Sequence, residues 1–170
     1  MPVVLDLMVH DIDLILEMVD SPIQNIGASG AKMMSETIDL AHAHIKFENG
    51  AVANLKSSRI AQNYIRKIKT YQKNLYSITD LMIPQTELYG LENNNKFSSD
   101  AKTQLIKTQS GEKTLYYEKF IPKNNDALLE EINDFVRSIN LRSNPIVDGQ
   151  AGLNALKIAL EIENKIFLNE

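Results

Sequence analysis

An alternating pattern of side chains, interrupted by one tight turn, constrains the fold most strongly. Residues 37–47 and 51–59 both alternate as strands do, and Glu48-Asn49-Gly50 between them contains the Asn-Gly pair that is typical of a tight hairpin turn. The pattern predicts an antiparallel hairpin. In its first strand, one face carries Ile38, Leu40, His42 and His44, and the opposite face carries Ala41, Ala43, Ile45 and Phe47.

Further strands are predicted before and after this hairpin. They cover residues 23–34, 64–71 and 75–82, and shorter strands cover residues 87–91, 103–108 and 113–120. Ser110-Gly111 is predicted as a turn, and the asparagine runs at residues 93–95 and 124–125 are predicted as loops. Because most of these strands are joined by short connections, we expect a largely antiparallel sheet.

Helical patterns are confined to the two ends of the chain. We expect residues 3–5 to be extended and to lead into a helix that begins at Asp6 and stops near Asp20, because Ser21-Pro22 breaks the pattern. Its apolar stripe is formed by Leu5, Val9, Ile12, Leu16 and Val19.

Two closing helices are predicted with polar residues as caps. Asn125 or Asp126 caps a helix that runs to about Ile139, and Asp148 caps the last helix. The expected buried stripe of the first consists of Leu128, Leu129, Ile132, Phe135, Val136 and Ile139. In the last helix, Leu153, Leu156, Leu160 and Phe167 recur on one side, with Ile158, Ile162 and Ile166 beside them.

This order of elements predicts one α+β domain over residues 1–170. Helices at the ends and strands between them favour an open, mostly antiparallel sheet with helices packed on one face over a doubly wound fold. Such a sheet leaves its second face free, and we expect that face to form a homodimer or a tetramer.

Composition excludes several classes of function. The chain has 170 residues, a formal charge of −4 and no cysteine, so disulfides and thiolate metal sites are excluded. The mild acidity argues against nucleic-acid binding. Since no long apolar run and no signal peptide occur in the sequence, we expect a cytoplasmic protein that does not associate with membranes.

The first helix carries the candidate catalytic residues. Asp6 and His10 are four residues apart and therefore lie on one face, and Asp13 continues the same polar stripe. An imidazole held beside a carboxylate is suited to act as a general base near neutral pH.

The run Leu5-Asp6-Leu7-Met8-Val9-His10-Asp11-Ile12-Asp13 resembles the D-x-x-x-H-D-x-D helix of the glucose-fructose oxidoreductase, inositol dehydrogenase and MocA (Gfo/Idh/MocA) family. Residues 127–135 and 145–156 are similar to the closing helices of its carboxy-terminal domain. The resemblance implies an oxidoreductase that acts on a hydroxyl of a sugar, nucleotide sugar or cyclitol. The first motif is most similar to that of members acting on nucleotide sugars.

The resemblance also implies roles for individual residues. His10 would accept the substrate proton, Asp6 would contact the reacting hydroxyl or stabilise the imidazolium, and Asp13 would bind other substrate hydroxyls. NAD or NADP would be held mainly by an amino-terminal Rossmann domain. The seven glycines here never form G-x-G-x-x-G, and the family's Glu-Lys-Pro segment does not occur. We therefore expect a chain without its Rossmann half, which binds no cofactor tightly and is catalytically silent by itself.

Two other readings remain open at this stage. The chain could be a non-catalytic binding or oligomerisation module, in which the Asp6/His10 pair has lost its role. It could also bind a metal through His10, His42 and His44, of which the last two lie about 7 Å apart on one strand face. We disfavour the metal site because two neighbouring ligands are too few.

Overall fold

The computed structural model describes residues 1–91, 97–109, 111–122 and 126–168. These residues form two compact units. The first consists of residues 1–62 and 131–170, and the second of residues 63–130. The loops predicted at residues 93–95 and 124–125, and Ser110 of the predicted turn, lie outside the described residues.

The described residues contain one π-helical turn, three α-helices and eight strands. A π-helical turn, Val4–Met8, leads directly into α1 (Val9–Met18). The strands are β1 (Ile23–Ala31), β2 (Leu40–Phe47), β3 (Val52–Ser58), β4 (Lys67–Gln72), β5 (Leu75–Asp80), β6 (Gln85–Gly90), β7 (Lys102–Thr108) and β8 (Gly111–Phe120). They are followed by α2 (Ala127–Leu141) and α3 (Gly149–Leu168).

The predicted hairpin is confirmed as β2 and β3. Gly50 has φ +87°, the left-handed conformation that its turn requires, and His44 lies opposite Asn54 in the antiparallel register. β1 pairs antiparallel with the other edge of β2, so the sheet order is β1-β2-β3. The prediction was wrong for Ile38, which is fully buried, because it precedes the strand and does not share the face of His42 and His44.

Helices cover one face of this sheet. Ala41, Ala43, Ile45 and Phe47 of β2 are buried with residues of the helices, while His42, His44 and Lys46 on the other face are exposed. The helical side of the core comprises Val4, Met8, Ile12, Ala155, Ala159, Ile162 and Ile166. The α+β class with helices on one face is therefore confirmed for this unit.

The amino-terminal turn differs from the prediction. Val3 has φ −60° and ψ −26°, so residues 3–5 are helical and not extended. Val9 N–H donates to Val4 O, one residue further back than in an α-helix. Val3, Val4 and Met8 are fully buried, and this burial outweighs the extended preference of two consecutive valines.

The remaining strands form a second antiparallel sheet in the order β4-β5-β6-β8-β7. The strands are therefore divided between two sheets. A row of tyrosines crosses four strands of the second sheet. Tyr71, Tyr76, Tyr89 and Tyr117 are consecutive cross-strand neighbours, with ring centroids 4.8, 5.8 and 5.0 Å apart. Such pairs stabilise strand register.

Both closing helices are present with the predicted caps. Asp126 Oδ1 accepts a hydrogen bond from Leu129 N–H at 3.2 Å, and Asp148 Oδ1 accepts from Gln150 N–H at 2.9 Å. The predicted burial was wrong for α2, because its six apolar stripe residues are 49–66% exposed. In α3 the buried residues are Ala155, Ala159, Ile162 and Ile166, whereas the leucines predicted on the neighbouring side are largely exposed.

The hydrogen bond between Tyr89 and Glu87 makes a testable prediction. Tyr89 Oη donates to Glu87 Oε2 at 2.7 Å, and this bond, together with burial, raises the pKa of Tyr89 to about 12. Because the folded-state pKa lies above the ordinary value of roughly 10, the contribution to stability is complete below pH ~10 and is lost as the pH rises through 12.

Tyrosinate absorbance should show an ionisation near pH 12 that is lost in Tyr89→Phe and moves to lower pH in Glu87→Gln. The control Tyr64→Phe alters an exposed ring and should leave this step unchanged. A titration unaffected by Tyr89→Phe would contradict the assignment.

Candidate functional site

The π-helical turn and α1 position the three residues predicted from the sequence. Asp6 lies within the turn, His10 is the second residue of α1, and Asp13 follows within the same helix. The turn lies against β3 and α3. Wide turns of this kind occur frequently at functional sites.

His10 is accessible. Its side chain is exposed, and across the described ranges no hydrogen bond or ion pair holds its ring. An imidazole in this state can exchange a proton with a ligand without first breaking an internal contact.

Asp6 forms an ion pair that the sequence analysis missed. Arg59 Nη2 donates to Asp6 Oδ2 at 2.7 Å, and the two side chains are 27% and 41% exposed. Arg59 directly follows β3, and 53 residues separate it from Asp6. No local signal in the sequence indicates a contact over this separation, so only the three-dimensional structure reveals the pair.

The buried carboxylate of Asp39 fixes the backbone of residues 33–35. Asp39 is 2% exposed, and its Oδ2 accepts hydrogen bonds from the N–H groups of Met33, Met34 and Ser35 at 2.9, 2.7 and 2.9 Å. The hydroxyl of Ser35 donates to Oδ1 at 2.8 Å. These donors, the Met33 and Met34 N–H groups foremost, hold the pKa of Asp39 well below its ordinary value.

The main chain of residues 38–39 connects this carboxylate to the candidate site. Val3 N–H donates to Ile38 O at 2.9 Å, and Arg59 N–H donates to Asp39 O at 3.0 Å. The start of the helical segment and the backbone of Arg59 are thus both bonded to the same two residues. Asp39 was missed from the sequence because it was assigned to a regular strand.

Two surface depressions lie away from the Asp6–His10 helix segment and from Arg59. His42 and His44 line a shallow hollow of about 240 Å³ on the outer face of β1–β3, where His44 Nδ1 lies 2.8 Å from Asn54 Oδ1. A larger cleft of about 560 Å³ lies at the far end of α1, between Leu16, Pro22 and Ile158. Neither includes Asp6, His10 or Arg59. Among the described residues, no three His, Asp or Glu side chains form a group that could hold a metal ion, and no helix is long and apolar enough to cross a membrane.

Comparison with known proteins connects this geometry to a family. The profile of the GFO/IDH/MocA C-terminal domain matches residues 2–73, which include Asp6, His10, Asp39 and Arg59. The UDP-N-acetylglucosamine 3-dehydrogenase of Acidithiobacillus ferrooxidans is 28% identical over 164 residues, which are 94% of this chain and 47% of that protein. The myo-inositol 2-dehydrogenase of Thermotoga maritima is 23% identical, over 98% of this chain and 49% of that protein.

Solved structures show the same fold. A structure of the Acidithiobacillus ferrooxidans enzyme superimposes with a TM-score of 0.80 at 25% identity, covering 98% of this chain and 48% of that one. The fold and the helix that carries Asp6 and His10 thus define an α+β domain of the kind found in dehydrogenases. Residues 2–73 of the chain thus match the model of the Gfo/Idh/MocA carboxy-terminal domain, and almost the whole chain is similar to one half of these two dehydrogenases. It spans about half the length of the relatives it matches.

The hydrogen bonds of Asp39 predict a defined response to mutation. Asp39→Ala should leave the three N–H donors of residues 33–35 without their acceptor, accelerate hydrogen exchange at these amides and lower the thermal unfolding midpoint. Because the folded-state pKa is depressed, the advantage of the wild type should be complete above the ordinary carboxyl pKa of ~3.9. It should decline progressively as the pH falls from this value through the folded-state pKa. Glu36→Ala removes an exposed carboxylate from the same loop and is the matched control. Equal exchange rates in the two variants would contradict the proposed anchoring.

Proposed function

We propose that this chain is the substrate-binding and catalytic half of an NAD(P)-dependent dehydrogenase that oxidises a hydroxyl of a nucleotide sugar, sugar or cyclitol. The observation that carries the proposal is the exposed His10 imidazole one turn after an Arg59-paired Asp6, on a helix inside the matched family domain. The names of the two relatives, which specify a nucleotide sugar and a cyclitol, support the substrate class.

Each residue has a defined task in this proposal. His10 accepts the proton of the substrate hydroxyl as the carbon that bears it is oxidised. Asp6 accepts a hydrogen bond from that hydroxyl or stabilises the positive charge that develops on the imidazole. Asp13, half-buried on the same helix, binds a second substrate hydroxyl.

The described residues form no Rossmann unit that could bind a dinucleotide. All strand pairs among the described residues are antiparallel, whereas a Rossmann unit needs parallel strands joined by a helix. The sequence also lacks the G-x-G-x-x-G turn. We therefore propose that NAD(P) is held by polypeptide outside these residues, and that the 170-residue chain alone is catalytically silent.

Turnover by the complete gene product that carries this chain tests the function. With NAD or NADP and a panel containing UDP-N-acetylglucosamine and myo-inositol, His10→Ala and Asp6→Asn should each lower kcat by about 100- to 10,000-fold, because the general base or its partner is lost. His42→Ala removes an exposed imidazole from β2. This variant is the matched control and should retain activity. Absence of turnover in the wild type, or full activity in His10→Ala, would contradict the proposal.

We further propose that the outer face of the β1–β3 sheet forms a homodimer or tetramer interface. Its exposed residues include His42, His44, Asn54 and Lys56, whereas helices cover the opposite face. A free sheet face of this kind is suited to isologous pairing.

Sedimentation equilibrium tests this interface. The wild type should sediment as a dimer or tetramer, and Asn54→Glu should weaken the association because it places carboxylates within the interface. Asn154→Glu introduces the same charge on exposed α3 and should not weaken it. A monomeric wild type, or equal effects of both substitutions, would contradict the interface.

A further inference from the structure

We propose that Arg59 is a positioning residue for the reaction, which acts by fixing the carboxylate of Asp6 beside the substrate. This inference rests on the proposed function, since it assigns a role to the neighbour of a candidate catalytic group. Its direct support is the 2.7 Å hydrogen bond from Arg59 Nη2 to Asp6 Oδ2.

A backbone hydrogen bond fixes Arg59 independently of the contact between its side chain and Asp6. Its N–H bonds to Asp39 O, and the side chain of Asp39 is itself bonded to three consecutive main-chain N–H groups. Val3, at the start of the turn that carries Asp6, bonds to Ile38 O. The backbone of Arg59 and the start of the segment that carries Asp6 are therefore both hydrogen-bonded to residues 38–39.

The ion pair also determines which carboxylate oxygen of Asp6 is available to a ligand. The guanidinium engages Oδ2, and among the described residues Oδ1 of Asp6 accepts no hydrogen bond. With the side chain of Asp6 41% exposed, this oxygen is available to a hydroxyl of the substrate. The planar, charged guanidinium hydrogen-bonds to the carboxylate and thereby limits its rotation.

A positioning role predicts a loss in kcat and not in substrate affinity. In the complete gene product, Arg59→Met should lower kcat by about 10- to 100-fold while KM changes by less than about threefold, because a misplaced Asp6 affects the reacting geometry most. Arg59→Lys should recover part of this loss, and added guanidinium should partly restore Arg59→Ala. Lys157→Met removes an exposed cation from α3 and should leave both constants unchanged.

The outcomes separate the possible roles of Arg59. An increase in KM at unchanged kcat would show that Arg59 binds the substrate directly. Unchanged kcat in a folded Arg59→Met or Arg59→Ala protein would show that Asp6 needs no positioning. Either result overturns the proposal while the function stands. A wild type without turnover would contradict the proposed function, and with it the role of Arg59.

Discussion

The buried carboxylate of Asp39 is the interaction on which the candidate site depends. It satisfies three main-chain N–H groups of the loop between β1 and β2, and the main chain of residues 38–39 bonds to both Val3 and Arg59. A charge buried in this way is tolerated only because several donors surround it. Three segments that are distant in sequence are thereby held in one arrangement.

The core behind this arrangement gives the helix its position. Val4, Met8 and Ile12 are fully buried in the same cluster as the inner face of β2 and the buried residues of α3. The apolar side of the helical segment thus faces the sheet, while His10 on its other side is exposed. The buried residues and the candidate catalytic imidazole consequently lie on different faces of the same segment.

The parts of the structure with local determinants were predicted from the sequence. The β2–β3 hairpin follows from side-chain alternation and the Asn-Gly turn, and the caps at Asp126 and Asp148 follow from the preference of carboxylates for helix starts. The family resemblance rests on the short helix that contains Asp6 and His10, and the match over residues 2–73 confirms it. The roles of these two side chains remain a prediction.

Features that depend on tertiary contacts could not be predicted. The Arg59–Asp6 pair joins residues 53 positions apart. The π-helical turn at Val4–Met8 arises because the burial of its side chains outweighs the preference of consecutive valines for an extended backbone. The stripe of α2 was recognised as apolar, but periodicity identifies a face without identifying what packs against it.

A double-mutant cycle on kcat tests the central claim that Arg59 acts through Asp6. If it does, Asp6→Asn combined with Arg59→Met should reduce kcat no further than Asp6→Asn alone, because the partner that Arg59 positions is already lost. Losses that multiply in the double variant would show that the two residues act independently and would contradict the account.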